Sequence, residues 1–334
     1  MRLRLGLTLA ALVGVALGIG LVLHFGLEQV GDAFLSAGWQ GVLAISAVYF
    51  ASLILCALAW RALLVKATPN ASLFLVWVRW LRDSTANLLA IVPAVGEAVA
   101  VRELTLQGTP LGTAVAMTVV DLTMELASQL LFTLLGVTIL IAGRPSEMTG
   151  WWLAAGLAIC SAGIAGFVVA QHRGVFRFLE TLPDRLGWAQ AWGSLSETDG
   201  THAGIKEIYR HRARVLANFA LHFAGWIVGA GEAWIGLWFM DNPVSFADAL
   251  VIESLVYALR TGAFIVPWAA GVQEGGYIVA GALFGLPPQL ALSLSLLKRA
   301  REIVTGVPAL IMWQCLEPWR LWRNRRRSPS TPTL

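Results

Sequence analysis

Two sets of four polar residues recur at one helical spacing, 177 residues apart in the chain. The first set is Thr118, Asp121, Glu125 and Ser128, and the second is Ser295, Lys298, Glu302 and Thr305. The spacing i, i+3, i+7, i+10 places the members of a set on one face of a helix. Each set lies in the middle of a long apolar segment, so its charges are expected at mid-depth in a bilayer, where ionisable groups contact ions or polar cargo. The duplication predicts a transporter built from an internal repeat.

Ionisable groups crowd the same two segments. They are Asp121, Glu125, Lys298, Arg299, Arg301 and Glu302, and their formal charges cancel. An unpaired charge at the centre of a membrane helix costs about 2.5–3.5 kcal/mol, so these groups must face one another or a water-filled cavity. We predict ion pairs of Asp121 or Glu125 with Lys298 or Arg301. Lys298 could also pair with Glu302 within one helix. A network that only holds the two halves together is the alternative to a cargo site.

Two further apolar regions, residues 72–107 and 246–285, are interrupted by proline and glycine. Each is predicted to hold a longer helix, a break and a shorter helix. The residues at the breaks are Pro93, Gly96, Pro267 and Gly271. Broken helices at matching places in two halves of a transporter mark its binding site. We interpret both regions as re-entrant hairpins, with two full crossings in each as the alternative.

More charges lie near these breaks, namely Glu97, Arg102, Arg260 and Glu274. Backbone N–H groups at the start of each short helix could bind an anion there. The alternative for Glu97 and Glu274 is a favourable interaction with the helix dipole alone. Arg79, inside the first hairpin, could contact the same anion or extend to the membrane surface.

The composition is that of a multi-spanning membrane protein. The 334 residues are 57% hydrophobic and only 13% charged, whereas soluble domains carry about 25% charge. Stretches long enough to cross a bilayer are predicted at 5–23, 41–65, 111–141, 151–170, 214–239 and 289–316. The first is interpreted as a retained span rather than a signal peptide, because no cleavage site follows it. The predicted fold is all-α, with a first repeat at 41–142 and a second at 214–316.

The distribution of basic residues predicts the topology. Lysine and arginine are concentrated in the N-terminus, the 66–71 loop, the 171–213 loop and the C-terminus, while the opposite side has Arg144 alone. Both termini are therefore predicted to be cytoplasmic. A single span, 151–170, separates the repeats, so the repeats are predicted to be inverted. The cytoplasmic linker 171–213 would hold either a basic amphipathic helix near 175–185 or an ordinary connector, and the basic tail 317–334 is predicted to be disordered.

Other kinds of site have little support in the sequence. The three cysteines are isolated, so neither zinc nor a disulfide framework is predicted, and no cofactor or metal is assigned. The basic residues lie near span ends rather than in a stripe, which argues against a nucleic-acid partner. No nucleotide-binding loop is present, so transport would be passive or ion-coupled. His222 is the one histidine inside a predicted span, and we assign it no proton relay.

The hairpins carry a family resemblance. The stretch from Pro93 through Gly96-Glu97 to Arg102 resembles the first-half signature of the lysylphosphatidylglycerol synthase transmembrane, or flippase-domain, family. The stretch from Pro267 through Gly271 to Glu274, with the later Leu286-Pro287 and Lys298-Arg299 pairs, resembles its second-half signature. The resemblance extends over about residues 5–316. The segment from Asp121 to Glu125 is similar to the hopanoid-associated branch of that family.

The resemblance implies a bacterial inner-membrane protein with inverted repeats that moves a lipid between leaflets. A polar headgroup would then pass Glu97, Arg102, Asp121, Glu125, Arg260, Glu274, Lys298, Arg301 and Glu302. No transferase domain follows the membrane part before Leu334, so lipid aminoacylation is not expected. The chain has Trp268, Ala269 and Ala270 where the family usually has glycines, and Val120-Asp121 where it has a Glu-Arg pair. These departures put an aminoacylated lipid in question and are compatible with a hopanoid cargo.

Two other functions stay open at this stage. The first is an intramembrane lipid-modifying enzyme with Glu97 or Glu274 as its general base, although no nucleophile accompanies either residue. The second is a non-transporting scaffold for lipid-biosynthesis enzymes. Such enzymes and a second copy of the chain are the protein partners that these alternatives imply.

Overall fold

The computed structural model describes residues 27–64, 71–89, 94–143, 198–263 and 266–327. Within these ranges the fold is entirely helical, which confirms the predicted all-α class. The helices are α1 (Leu27–Leu63), α2 (Ala71–Leu88), α3 (Val95–Leu106), α4 (Leu111–Gly143), α5 (Thr198–Arg210), α6 (Arg212–Phe239), α7 (Phe246–Gly262), α8 (Val272–Ala282) and α9 (Pro288–Arg327), with a short 3₁₀ turn at Pro267–Ala269.

Three of the described helices are long and apolar enough to cross a membrane: Phe34–Leu63, Leu111–Gly143 and Arg212–Phe239. They correspond to the predicted spans 41–65, 111–141 and 214–239. The predicted span 289–316 lies within α9, which is long enough to cross but carries several charges. The predicted spans 5–23 and 151–170 lie outside the described residues.

The helices repeat at the offset found in the sequence. Helix α3 begins at Val95 and α8 at Val272, while α4 begins at Leu111 and α9 at Pro288, so both pairs of starts are 177 residues apart. The packing repeats as well. Helix α2 packs on α9, and its equivalent α7 packs on α4. Helix α1 likewise packs on α9, and its equivalent α6 packs on α4. Helices α1 and α6 pack against each other. Each of these contacts between the repeats therefore has a counterpart in which their roles are exchanged.

Both hairpins are broken where the sequence predicts. Helices α2 and α3 pack together on either side of the first break, and α7 and α8 on either side of the second. Ala94, directly before α3, has a φ of 59°, and its equivalent Gly271, directly before α8, has a φ of 76°. Pro93 lies outside the described residues, and Pro267 begins the 3₁₀ turn. Whether the hairpins are re-entrant stays a prediction.

The C-terminal tail and the linker between the repeats both contain helix among their described residues. Helix α9 continues to Arg327, so the disordered tail predicted at 317–334 is wrong for 317–327, where leucine, tryptophan and arginine are compatible with a helix. In the linker, α5 packs on α4, with Ile205 and Ile208 against Met117 and Val120. The amphipathic helix predicted near 175–185 lies outside the described residues.

Candidate functional site

Helix α2 supplies the two central cations of the first half. Arg79 contacts Asp83 at 3.1 Å and Asp121 at 3.5 Å, and it also pairs with Glu125. Arg82 contacts Glu97 at 2.9 Å and Glu125 at 3.1 Å. The spacing of Arg79, Arg82 and Asp83 puts all three on one helix face. We call Arg79, Arg82, Asp83, Glu97, Asp121 and Glu125 the first-repeat network.

Asp121 is the most deeply buried acid of this network, with 1% of its surface exposed. Its carboxylate accepts a hydrogen bond from the indole N–H of Trp60 on α1. It also accepts one from the Asn218 amide at 2.8 Å, and the Nε2 atom of His222 lies 2.8 Å from the same oxygen. Asn218 and His222 belong to α6, so the second half of the chain completes the surroundings of this acid.

The second half places a buried base at the equivalent position. Lys298 donates to Glu253 at 2.6 Å and lies 3.7 Å from Glu232. Arg301 contacts Glu232 at 3.0 Å, and the hydroxyl of Tyr277 donates to Glu253 at 2.6 Å. The ammonium of Lys298 therefore lies between two carboxylates.

A second group of ion pairs lies beside Lys298. Glu302 contacts Arg260 at 3.5 Å and Arg299 at 3.3 Å. Arg299 also contacts Glu274 at 3.3 Å and donates to the Trp268 carbonyl at 2.6 Å. We call Glu232, Glu253, Arg260, Glu274, Lys298, Arg299, Arg301 and Glu302 the second-repeat network.

The predicted ion pairs between the two charged helices are therefore wrong. Asp121 and Glu125 take their arginine from α2, while Lys298 and Arg301 take their acids from α6 and α7. The alternative pairing of Lys298 with Glu302 is also not formed, because Glu302 pairs with arginines instead. Arg79 and Glu253 thus reach the charged helix of their own repeat, although α2 itself packs on α9 and α7 on α4.

Several members of the site were not singled out from the sequence. These members are Glu232, Glu253, Trp60 and Asn218. Each is a polar group in an otherwise apolar helix, and this was the one feature of the sequence that could have identified them. His222 was noted but given no partner. Arg79 is buried, with 4% of its surface exposed, so its extension to the membrane surface is wrong.

The acids at the starts of the short helices have more than one contact. Glu274 accepts a hydrogen bond from the Gly271 backbone N–H at 2.8 Å, which caps α8 as the dipole alternative suggests, and it also pairs with Arg299. Glu97 in the first turn of α3 pairs with Arg82. A Cβ on Gly96 would lie 2.6 Å from the Arg82 carbonyl, so glycine there permits the close approach of α3 to α2.

Arg102 lies apart from these networks, although the sequence placed it on the cargo path. Its guanidinium is 3.6 Å from Glu103, whose carboxylate also accepts a hydrogen bond from Trp313 on α9 at 3.2 Å. Arg102 does not line either cavity described below. It belongs to a contact between α3 and α9.

A cavity of about 200 Å³ lies between the two networks. Its charged lining is four arginines and four acids, namely Arg79, Arg82, Arg260, Arg301, Asp83, Glu125, Glu232 and Glu302. Its uncharged polar lining includes His222, Cys56, Tyr49, Tyr257, Ser52 and Asn87. Of the predicted cargo residues, Glu125, Arg260, Arg301 and Glu302 therefore line the cavity, whereas Asp121 and Lys298 lie behind its wall.

A second cavity of about 160 Å³ adjoins the first and shares Ala86, Asn87 and Arg260 with it. The two hairpin breaks meet here, because the Trp268 indole N–H donates to the Leu88 carbonyl at 3.4 Å. Its charged lining residues are Arg260 and Arg299. The two cavities thus join the repeat interface to the broken segments.

One group of side chains has the composition of a metal site. Donor atoms of Asp121, Glu125 and His222 lie within 4.8 Å of one another. The guanidinium of Arg79 contacts both carboxylates, however, and Trp60 donates to Asp121 as well. A fixed cation already holds the place that a metal ion would take, so we assign no metal here.

The described helices define a membrane protein in which two repeats with broken hairpins surround a charged cavity. Residues 6–309 match the family model for the lysylphosphatidylglycerol synthase TM region, and the chain belongs to this family. The predicted family resemblance is confirmed, and the family indicates a function related to membrane lipids. Its hopanoid-associated branch stays a prediction. Neither the curated proteins nor the solved structures give a match.

Proposed function

We propose that this protein moves a membrane lipid between leaflets, with the polar headgroup passing through the cavity between the repeats. The observation that carries the proposal is the charged lining of that cavity, to which both repeats contribute. A headgroup leaving water would find counter-charges and hydrogen-bond donors already in position, which lowers the cost of its dehydration. The proposal includes the predicted topology in a bacterial inner membrane with both termini in the cytoplasm.

The size of the cavity suits a headgroup rather than a whole lipid. Its volume of about 200 Å³ is below the roughly 300–1,000 Å³ of pockets that enclose a drug-sized ligand. The lipid tails would therefore stay in the bilayer while the headgroup crosses. A phospholipid or a polar hopanoid fits this arrangement equally well.

Unused hydrogen-bond donors support binding of an oxygen-rich headgroup. Arg82 and Arg301 both line the cavity, and the Nε–H of each has no hydrogen-bond partner among the described residues. Buried polar groups in folded proteins nearly always have a partner. Both Nε atoms are buried, so phosphate or hydroxyl oxygens of a headgroup would reach them after a change of side-chain rotamer, and a guanidinium is suited to phosphate.

The alternative of a purely structural network is weaker on energetic grounds. Replacing buried ion pairs with apolar residues of similar volume is often neutral or stabilising. A chain selected only for rigidity would gain little from four cavity arginines. The enzyme alternative also has less support, because Glu97 and Glu274 are both paired with arginine and so are poor candidates for a general base.

Arg260 offers the sharpest test because it lines both cavities and its one described ion pair, with Glu302, is long at 3.5 Å. The full chain is reconstituted in liposomes, and the movement of a fluorescent phospholipid between leaflets is followed by quenching of the outer leaflet. We expect Arg260→Gln to slow the protein-dependent movement at least tenfold because a headgroup contact is lost. Arg210→Gln, which removes a charge from an exposed position, is the matched control.

An unchanged rate in Arg260→Gln and in the double variant Arg260→Gln/Arg299→Gln would contradict the proposal. Lipid analysis of a deletion strain separates the enzyme alternative. A lipid that is present but confined to one leaflet supports translocation, whereas a missing lipid species supports synthesis or modification. A non-transporting scaffold would leave the movement of the phospholipid between leaflets the same in liposomes with the wild-type protein, with any variant and without protein.

A further inference from the structure

The two networks differ in charge balance. If every carboxylate is ionised, the first-repeat network holds two guanidinium groups against four carboxylates. The second-repeat network holds four bases against four acids. The first network therefore carries two negative charges without a counter-charge among its own members. Surplus charge in a low-dielectric interior is costly unless a cation or a proton offsets it.

His222 contacts the first network, and its imidazole can gain or lose a proton. It is buried, with 1% of its surface exposed, and its Nε2 atom is held 2.8 Å from Asp121. Arginine is always protonated, so Arg79 and Arg82 cannot adjust. The imidazole lines the cavity and also contacts Cys56. A proton can therefore reach it from cavity water while Asp121 keeps the ring in one orientation.

We propose that the Asp121–His222 pair is a proton-binding site that couples lipid movement to a transmembrane proton gradient. A proton from cavity water adds to the ring nitrogen that Asp121 does not hold, which converts neutral imidazole to imidazolium. Release returns the proton to cavity water on the other side after the protein has changed its access. This inference rests on the proposed translocation for its consequence, but not for the proton site itself.

The groups around the pair set the sign of the coupling. In the first half they are Cys56, Arg79, Arg82, Asp83, Glu97 and Glu125. Tyr49 on α1 also lines the cavity, and in the second half the groups are Glu232, Tyr257, Arg260, Arg301 and Glu302. Protonation of His222 reduces the surplus of negative charge beside Arg79 and Arg82. Because that surplus repels an anionic headgroup, the proton and the headgroup favour each other's binding. Proton and anionic lipid should then move in the same direction.

The proton site has a direct test that needs no transport. The full chain with isotope-labelled histidine is reconstituted in liposomes, and its imidazole resonances are followed by solid-state NMR between about pH 5 and 11, a range that includes an imidazole held beside a carboxylate. The chain has five histidines, and His222→Gln identifies the relevant signal by its loss. We expect that signal to titrate in the wild-type protein and to change its midpoint in Asp121→Asn. A His222 signal that does not titrate, or one that Asp121→Asn leaves unchanged, overturns the proposal.

The coupling has its own test in the same liposomes, loaded with a fluorescent phosphatidylglycerol. At one proton per lipid, a gradient of one pH unit can hold up to about a tenfold difference in lipid between leaflets. We expect the wild-type protein and His211→Gln, which changes a partly exposed histidine outside the cavity, to approach that difference. His222→Gln and Asp121→Asn should leave the leaflets equal, as should an ionophore that collapses the gradient in the wild-type protein.

The outcomes separate this inference from the proposed function. Lipid that moves equally with and without the gradient contradicts the coupling and leaves translocation intact. No lipid movement in any gradient, together with a His222 that titrates and responds to Asp121, contradicts translocation and supports the proton site. Dependence on sodium instead of protons overturns the assignment of the coupling ion. Because the gradient test uses the wild-type protein, it holds even if one variant fails to fold.

Discussion

Asp121 and Lys298 occupy equivalent positions in the two repeats, yet one is an acid among donors and the other a base among acids. Trp60 and Asn218, two neutral groups, satisfy part of the Asp121 carboxylate. The Lys298 ammonium is held by the carboxylates of Glu253 and Glu232. A duplicated backbone thus supports two opposite charge arrangements, because the equivalent helices α2 and α7 carry Arg79 in one repeat and Glu253 in the other.

The difference has consequences for stability. A carboxylate can accept hydrogen bonds from neutral donors and keep part of its solvation when a counter-charge is removed. Lys298 is the one cation paired with Glu253 among the described residues, and removing one partner of a buried pair costs about 3–5 kcal/mol. Loss of a charged partner should therefore reduce the stability more in the second repeat than in the first, and the first repeat is the half whose charge state can vary.

The largest expected effect is that of Lys298→Met. It leaves Glu253 with the Tyr277 hydroxyl alone, and the free energy of unfolding should fall by about 3–5 kcal/mol. Asp121→Asn should cost only about 1–2 kcal/mol, because the amide still accepts from Trp60 and Arg79 keeps Glu125. Unfolding by SDS in mixed micelles measures both values.

The double variant Lys298→Met/Glu253→Gln serves as the control for this comparison. It removes the charge left unpaired by the single change, so it should recover part of the loss. Equal costs for Lys298→Met and Asp121→Asn would mean that the two repeats do not differ in the way described above.

The sequence predicted the repeat and the breaks well, and the ion pairs poorly. The 177-residue offset predicted matching helix starts at Val95 and Val272 because backbone breaks depend on local proline and glycine. The ion pairs depend on how the helices are arranged in three dimensions. Arg79 and Glu253 lie on helices that the sequence places in the hairpins, but it does not reveal that their side chains reach the charged helix of the same repeat.

The second comparison concerns the hairpins. Gly96 in α3 is equivalent to Gln273 in α8, so the first hairpin is closed by a glycine where the second has a long side chain. A Cβ on Gly96 would lie 2.6 Å from the Arg82 carbonyl and 3.0 Å from the Ala86 Cβ. Gly96→Ala should therefore separate α2 from α3 and cost about 1–3 kcal/mol.

Gln273→Ala is the matched change in the second hairpin. It removes a hydrogen bond to the Ser295 hydroxyl at 2.9 Å, a loss of about 1 kcal/mol, without forcing any backbone apart. A thermal unfolding series in detergent should place Gly96→Ala below Gln273→Ala. The reverse order would show that the first hairpin is not the more tightly packed of the two.

The third comparison concerns the residues directly before the short helices, Ala94 and Gly271. Both have positive φ values, 59° and 76°, a conformation that costs a non-glycine residue about 1–2 kcal/mol. Gly271→Ala should therefore destabilise by about that amount. Ala94→Gly relieves the same strain but gives the unfolded chain more freedom, so its net effect should stay within about 1 kcal/mol and favour folding.

The two variants should change the free energy of unfolding in opposite directions in the same unfolding assay, and a loss of stability in Ala94→Gly would contradict strain at the first break. Because these breaks meet beside the second cavity, Ala94→Gly also tests whether relief of strain alters lipid movement. This variant leaves every charged group in place.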